Sequence, residues 1–290
     1  QPPRSTLFPY TTLFRSHAPF DLMVFDNGSN EKVVDYLRQL RDRGDIDFLL
    51  LSGQNIGKIN ALKMIFHSAP GEVIAYCDDD VFFLPGWLER HLAVLDTYPD
   101  VGAVTGMYIK SHMREGLAST LRFAERDDVV VEKGDLISRE IEQHYIENMG
   151  RTWEKYQDEI AGFEDVRMTY QGVQTFASAG HYQFVARKDR IIQALPAAWS
   201  MNLMGQMRDL DVAIDDLGFL RVCTEPATIL LLGNQINEEG AKMIREHGIT
   251  VEAALPLDRP AGWKTRLFRL PLVRKIAYFF YERLFKIINA

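Results

Sequence analysis

The sequence predicts an α/β protein, with a mostly parallel sheet flanked by helices. Three observations predict it. Strand-like runs start about every 26 residues from Asp21 onward, and a helix-length segment separates them, as parallel strands require for their crossovers. The runs are continuously apolar, as burial on both faces demands. Acidic residues gather after the runs, where open sheets of this class bind ligands.

Leu22–Phe25 is the first run, closed by the turn-forming Asp26-Asn27-Gly28-Ser29. Ser29 is placed to cap a helix over Asn30–Arg41, whose Val33, Val34, Leu37 and Leu40 share one face. Ile46–Leu51 is the second strand and Gly57–His67 the second helix. Val73–Cys77 is the third strand, followed by Asp78-Asp79-Asp80. Pro85 suits the first position of a helix through Trp87–Leu95, and Val101–Tyr108 is the fourth strand. The segment 111–172 is polar and rich in acids, and reads as a mostly helical insertion over the sheet edge. Val173–Ala177 and Tyr182–Ala186 suggest a hairpin or a strand pair. Gly205–Leu217 reads as a helix, and Leu220–Cys223 and Ala227–Leu232 as strands.

Composition excludes several classes. Of 290 residues, 47% are hydrophobic and 25% charged, so the chain is neither disordered nor fibrous. Its two cysteines, Cys77 and Cys223, give no disulfide framework and no cysteine-rich zinc site. No apolar run is long enough to span a bilayer. A net charge of −7 argues against a nucleic-acid partner.

Both ends differ from the rest. Residues 2–16 read PPRSTLFPYTTLFRS, the translation of a common short-read sequencing adapter, so residues 1–16 are expected to be artefactual. On that expectation the natural sequence starts near His17 and the first strand of the domain is missing. Residues 258–290 form a basic segment. Leu272, Ile276, Phe279, Phe280, Leu284 and Ile287 fall at helical spacing, with Arg274, Lys275, Arg283 and Lys286 expected largely opposite. This reads as an amphipathic helix that either packs on the domain or lies in a membrane interface through residues 266–288. The expected location is cytoplasmic, with peripheral contact at the inner face of the cell membrane.

Three adjacent carboxylates after a buried strand repel one another unless a cation neutralises them. Mg²⁺ or Mn²⁺ does so through one or two carboxylates plus substrate phosphate oxygens. In extended chain Asp78 and Asp80 point the same way and Asp79 elsewhere, which makes the first two the candidate metal ligands.

At this point the residues resemble a family. Asp26-Asn27-Gly28-Ser29-Asn30 is similar to the D-D/N-G-S-x-D turn of the family 2 inverting glycosyltransferases, which have a Rossmann-like GT-A fold. Asn55-Ile56-Gly57-Lys58 with Ala61-Leu62 resembles their N-x-G-K-x-x-A-L-N segment. Gly71-Glu72-Val73-Ile74 leading to Asp78-Asp79-Asp80 resembles their G-D/E-x-I strand and D-x-D motif, and Pro85-Gly86-Trp87-Leu88 their P-x-W-L helix start. Arg208-Asp209-Leu210-Asp211 resembles the later E-D-x-D-L segment. Departures are Lys63 for asparagine and Arg208 for glutamate.

The resemblance implies a nucleotide-sugar-binding half over 17–110 and an acceptor-binding half over 173–257. It implies a nucleotide-diphosphate sugar donor and a glycan or lipid-linked acceptor, with Mn²⁺ or Mg²⁺ as cofactor. Asp26 would meet the nucleobase and Lys58 the diphosphate, Asn27, Asn55, Asp78 and Asp79 would complete the nucleotide-sugar site, and Asp80 with Asp78 would hold the metal. Asp209 would take the proton of the attacking acceptor hydroxyl, giving inversion. Apart from the resemblance, His181 after Gly180 reads either as an acceptor-site residue or as a structural histidine. Two other classes fit the same carboxylates: a metal-dependent phosphoryl-transfer enzyme, and a noncatalytic relative that binds glycans or nucleotides.

Overall fold

The fold is described from a computed structural model over residues 16, 18–137, 139–148, 152–201, 207–231, 245 and 271–288. The segment 1–15, residue 17 and most of 232–270 lie outside the described residues, and with them the adapter-like stretch and the start of the basic segment.

The chain is α/β. In order it runs β1 (Met23–Asn27), α1 (Glu31–Asp42), β2 (Phe48–Ser52), α2 (Lys58–Ser68), β3 (Val73–Cys77), β4 (Val81–Phe83), α3 (Trp87–Thr97) and β5 (Val101–Thr105). A 3₁₀ turn at Lys110–Arg114 leads to α4 (Ala118–Ala124), β6 (Val129–Gly134), α5 (Arg139–Asn148), α6 (Trp153–Ile160), β7 (Asp165–Tyr170) and β8 (Val173–Phe176). Then come β9 (Gln183–Arg187), α7 (Lys188–Ala194), α8 (Met207–Asp216), β10 (Leu220–Thr224), β11 (Ile229–Leu231) and α9 (Pro271–Ile288).

The central sheet has seven strands in the order β3-β9-β5-β10-β8-β7-β6. It is mixed: β5 and β10 pair parallel, while β9 lies antiparallel between β3 and β5. Strands β3, β5 and β10 therefore run the same way, and their carboxyl ends share one edge with the start of β9. The β1 and β2 strands pair parallel as a separate two-stranded sheet, and β4 pairs antiparallel with β11.

Burial follows the pleat. On β9, Phe184 and Ala186 face α2, α7 and α8 through Leu62, Phe66, Ile191, Leu210 and Ile214. Val185, between them, faces the other layer with Trp87, Leu95 and Val104. All five residues of β5 and all five of β10 are buried, as their continuous apolar sequence requires.

Several expectations are corrected. Asn30, not Ser29, caps α1: its side chain accepts from the amides of Lys32 and Val33. Pro85 lies one residue before the N-cap, because Gly86 takes the left-handed conformation there. The described residues of 111–172 include three α-helices, but β6 and β7 also extend the central sheet from within it. Strands β8 and β9 do not pair with each other; β8 joins β7 and β10, and β9 joins β3 and β5.

Candidate functional site

The site is assembled where β1, the loop before α2, β3 and β9 meet. At the end of β1 the buried Asp26 carboxylate accepts from the amides of Gly28 (3.2 Å) and Ser29 (3.1 Å), an Asx-type turn. Gly28 has φ +83°, and a Cβ there would fall 2.6 Å from the Asn55 amide nitrogen, so only glycine lets the turn meet that loop. Asn27 Oδ1 accepts from the Ile56 amide at 2.8 Å, and Asn55 Oδ1 from the Gly57 amide at 2.8 Å. These bonds deliver the first residue of α2, Lys58, to the end of β3.

Lys58 Nζ lies 2.7 Å from Asp78 Oδ2. The other Asp78 oxygen accepts from the Tyr76 hydroxyl, two residues earlier on the same strand face. Burial, then the Asp78 charge, hold the Tyr76 phenol well above its usual range, so it donates as a neutral O–H. Burial and then the three aspartates push the Cys77 thiol up to about 12, an inert thiol. Asp79 is exposed and Asp80 half-buried. Burial, followed by Asp78, raises the Asp80 carboxyl above the ordinary carboxylate range. Asp80 makes no ion pair among the described residues, and a cation beside it would relieve that strain on its charge.

No group of three or more metal-ligating side chains occurs among the described residues. A divalent ion here would have at most Asp80 and Asp78 from the protein. That suits Mg²⁺ or Mn²⁺, which take one or two carboxylates and complete their shell with phosphate oxygens and water.

A second network holds another part of this edge. The loop Ser178–Tyr182 crosses the carboxyl ends of β3 and β5: the Asp78 amide donates to Tyr182 O (2.8 Å), and the Gly180 amide to Thr105 Oγ1 (2.9 Å). His181 Nδ1 lies 2.8 Å from Asp211 Oδ2, and Asp211 Oδ1 lies 2.9 Å from the buried Arg221 guanidinium. Arg221 also donates to the carbonyls of Glu115 (2.8 Å), Gly116 (2.9 Å) and Ala179. His112, on the 3₁₀ turn, stacks on His181 with centroids 6.0 Å apart, and burial with the neighbouring ring lowers its pKa to about 3.

The structure thus brings together Asp26, Asn27, Asn55, Lys58 and Asp78, with Asp79 and Asp80 following. Asp209 occupies the first turn of α8 and is exposed. Among the described residues it takes no part in the Asp211 network, which lies on the helix face carrying Met207, Leu210 and Ile214. Sequence reasoning missed Tyr76, Asp211 and Arg221. The signals were there: Tyr76 is at i−2 from Asp78, and Arg221 is a lone charge inside an apolar strand.

Over 94 residues, 32% of its length, the chain is 28% identical to a protein of Nostoc sp. (strain PCC 7120 / SAG 25.82 / UTEX 2576) described as "Uncharacterized glycosyltransferase alr2836". The matched stretch spans 29% of that relative's own length. Residues 10–164, more than half of the chain, match the family described as "Glycosyl transferase family 2". The match takes in both the turn after β1 and the three aspartates after β3, and the chain belongs to glycosyl transferase family 2.

Proposed function

We propose that this chain transfers a sugar from a nucleotide-diphosphate donor to an acceptor hydroxyl with inversion, in the building of surface glycans or polysaccharides. The observation that carries it is the Lys58–Asp78 pair at the end of β3, tied through Asn27 and Asn55 to the turn after β1. One cation among converging carboxylates suits a ligand that carries both a diphosphate and a ribose.

Each role follows from chemistry. Asp26, with Oδ2 held by its turn, offers its other oxygen to a nucleobase N–H. Lys58 donates to the diphosphate, and Asp78, released from Lys58, takes the ribose hydroxyls or shares a cation with Asp80. Bound Mn²⁺ or Mg²⁺ supplies charge stabilisation for the departing nucleoside diphosphate. Asp209, at the start of α8, takes the acceptor proton as the oxygen attacks the anomeric carbon opposite the leaving phosphate. Two residues on, Asp211 pairs with His181 on the loop that bonds the Asp78 backbone, which supports a position for the first turn of α8 near that edge.

The described residues include no helix long and apolar enough to cross a membrane. Instead α9 points Phe279 and Phe280 outward and is anchored by Phe285, which is 3% exposed. Arg283 sits over the Phe279 ring at 4.6 Å, on the apolar face and not opposite it, because the two are i and i+4. An exposed aromatic face with lysines beside it suits the interface of an anionic bilayer, where a lipid-linked acceptor would reside.

Nucleoside diphosphate release from a panel of nucleotide sugars tests the reading. Acceptor-dependent release from one donor supports it; no release from any donor refutes it.

A further inference from the structure

The His181–Asp211–Arg221 network has no part in the donor chemistry above, yet it sits on the loop that hydrogen-bonds the Asp78 backbone. Its electrostatics define what His181 can do. Asp211 is wedged between two partners, Arg221 at Oδ1 and His181 at Oδ2. A carboxylate has no hydrogen to donate, so His181 Nδ1 carries the proton of this bond. With the ring proton on Nδ1, Nε2 offers a lone pair, and no described residue bonds to it. The His181 side chain is 29% exposed, whereas Arg221 beneath it is 1% exposed.

The support is rigid as well as polar. Arg221 bonds the 115–116 loop, the 179 carbonyl and Asp211 together, and a Cβ on Gly116 would fall 2.6 Å from the Asp211 carbonyl. The groups facing His181 are Asp211 from α8, Arg221 from β10 and His112 from the 3₁₀ turn. Burial keeps the stacked His112 ring uncharged, and the Arg221 guanidinium is taken up by the other Asp211 oxygen and by backbone carbonyls. An oriented imidazole acceptor, braced by a carboxylate, is built to receive an O–H donor.

We propose that His181 Nε2 accepts a hydrogen bond from a hydroxyl of a polyhydroxylated acceptor, next to the hydroxyl that attacks, with Asp211 as the positioning residue that fixes the ring's tautomer. The proposal rests on the glycosyl-transfer reading. It assigns His181 to holding the acceptor and leaves proton removal to Asp209.

The tautomer makes the idea testable without breaking the site. In Asp211→Asn, Arg221 retains Oδ1, so the new amide N–H₂ faces His181. Nδ1 must then accept and the ring proton moves to Nε2, which turns the acceptor into a donor. Nitrogen-detected NMR of the ring should show Nδ1 protonated in the parent and Nε2 protonated in Asp211→Asn. Steady-state transfer should show acceptor KM raised about tenfold in His181→Ala and in Asp211→Asn, with kcat and donor KM within threefold. His181→Gln, whose amide oxygen can accept in place of Nε2, should fall closer to the parent than His181→Ala.

A parent ring protonated at Nε2 overturns the assignment. So does an acceptor KM unchanged in His181→Ala while the parent transfers sugar. A parent that turns over no nucleotide sugar refutes glycosyl transfer, and this acceptor role with it. A fall in kcat alone would place His181 in proton transfer and overturn the division of roles.

Discussion

Phe66 connects the core to the candidate site, and replacing it tests both. Its ring, 0% exposed, meets Tyr76 edge-on at 5.8 Å and Phe184 edge-on at 5.9 Å. Removing a fully buried phenylalanine costs about 3–5 kcal/mol through lost transfer energy and the cavity left behind. Two edge-to-face pairs, each about 0.5–1.5 kcal/mol, place this site toward the upper end, at about 4–5 kcal/mol. For a chain of this length that lowers Tm by about 7–8 °C. The loss also frees Tyr76, whose hydroxyl positions Asp78. Phe66→Ala should therefore weaken nucleoside diphosphate binding at a temperature where the variant is still folded, while Phe66→Leu should largely restore both. Urea unfolding and calorimetry measure the two effects. A stability loss under about 1 kcal/mol refutes the packing described here. A full loss of stability with unchanged binding refutes the link from Phe66 through Tyr76 to Asp78.

Three further outcomes are expected. Asp209→Asn should bind nucleoside diphosphate like the parent but transfer sugar about 10²–10⁴-fold more slowly, since an amide cannot take the proton; parental transfer would move the base elsewhere. Burial holds His91 at about 4 in the fold, where Nδ1 donates to Trp87 O and Nε2 accepts from Gln183. Its folded pKa lies below the unfolded 6.5, so the unfolded chain binds the extra proton, and stability present above pH 6.5 is lost as pH falls toward 4. The full loss is about 3 kcal/mol, and His91→Gln should flatten denaturation midpoints across that window; an equal slope in both proteins contradicts the burial. Finally, the chain should float with anionic liposomes and a Phe279→Glu/Phe280→Glu variant should not; a parent that stays unbound excludes membrane docking by α9.

How far the sequence could be read depended on how local each feature is. The third strand, β3, has the same ends in both readings, because an apolar run between Gly71 and three aspartates admits no other register. The α1 cap was ambiguous because Ser29 and Asn30 are both good caps, and only the extended backbone at Asn30 decides. Strands β6 and β7 were hidden for a different reason. The β6 sequence Val-Val-Val-Glu-Lys-Gly is mostly surface-exposed on the sheet's outer edge, so it carries no buried-strand signature, and its partner lies beyond two helices. The residues from Ala177 to Tyr182 look like a hairpin connection, but Gly180 is drawn to Thr105 and Asp78 to Tyr182, which sends β9 across to β3 and β5. The residues around the Lys58–Asp78 pair were legible because they lie in short contiguous motifs. The Arg221 network was not, because His181, Asp211 and Arg221 come from three separate segments and meet only once β10 is in place.

On the proposed function, the edge formed by β1, β3 and the loop before α2 holds the diphosphate of a nucleotide sugar. Calorimetric titration of the protein with nucleoside diphosphates, with and without Mn²⁺, tests this when run beside Asp80→Ala. Mn²⁺ should strengthen binding in the parent and should fail to strengthen it in Asp80→Ala. Equal Mn²⁺-dependent affinity in the two proteins would contradict the role given to Asp80, and no nucleoside diphosphate binding in the parent would contradict the site itself.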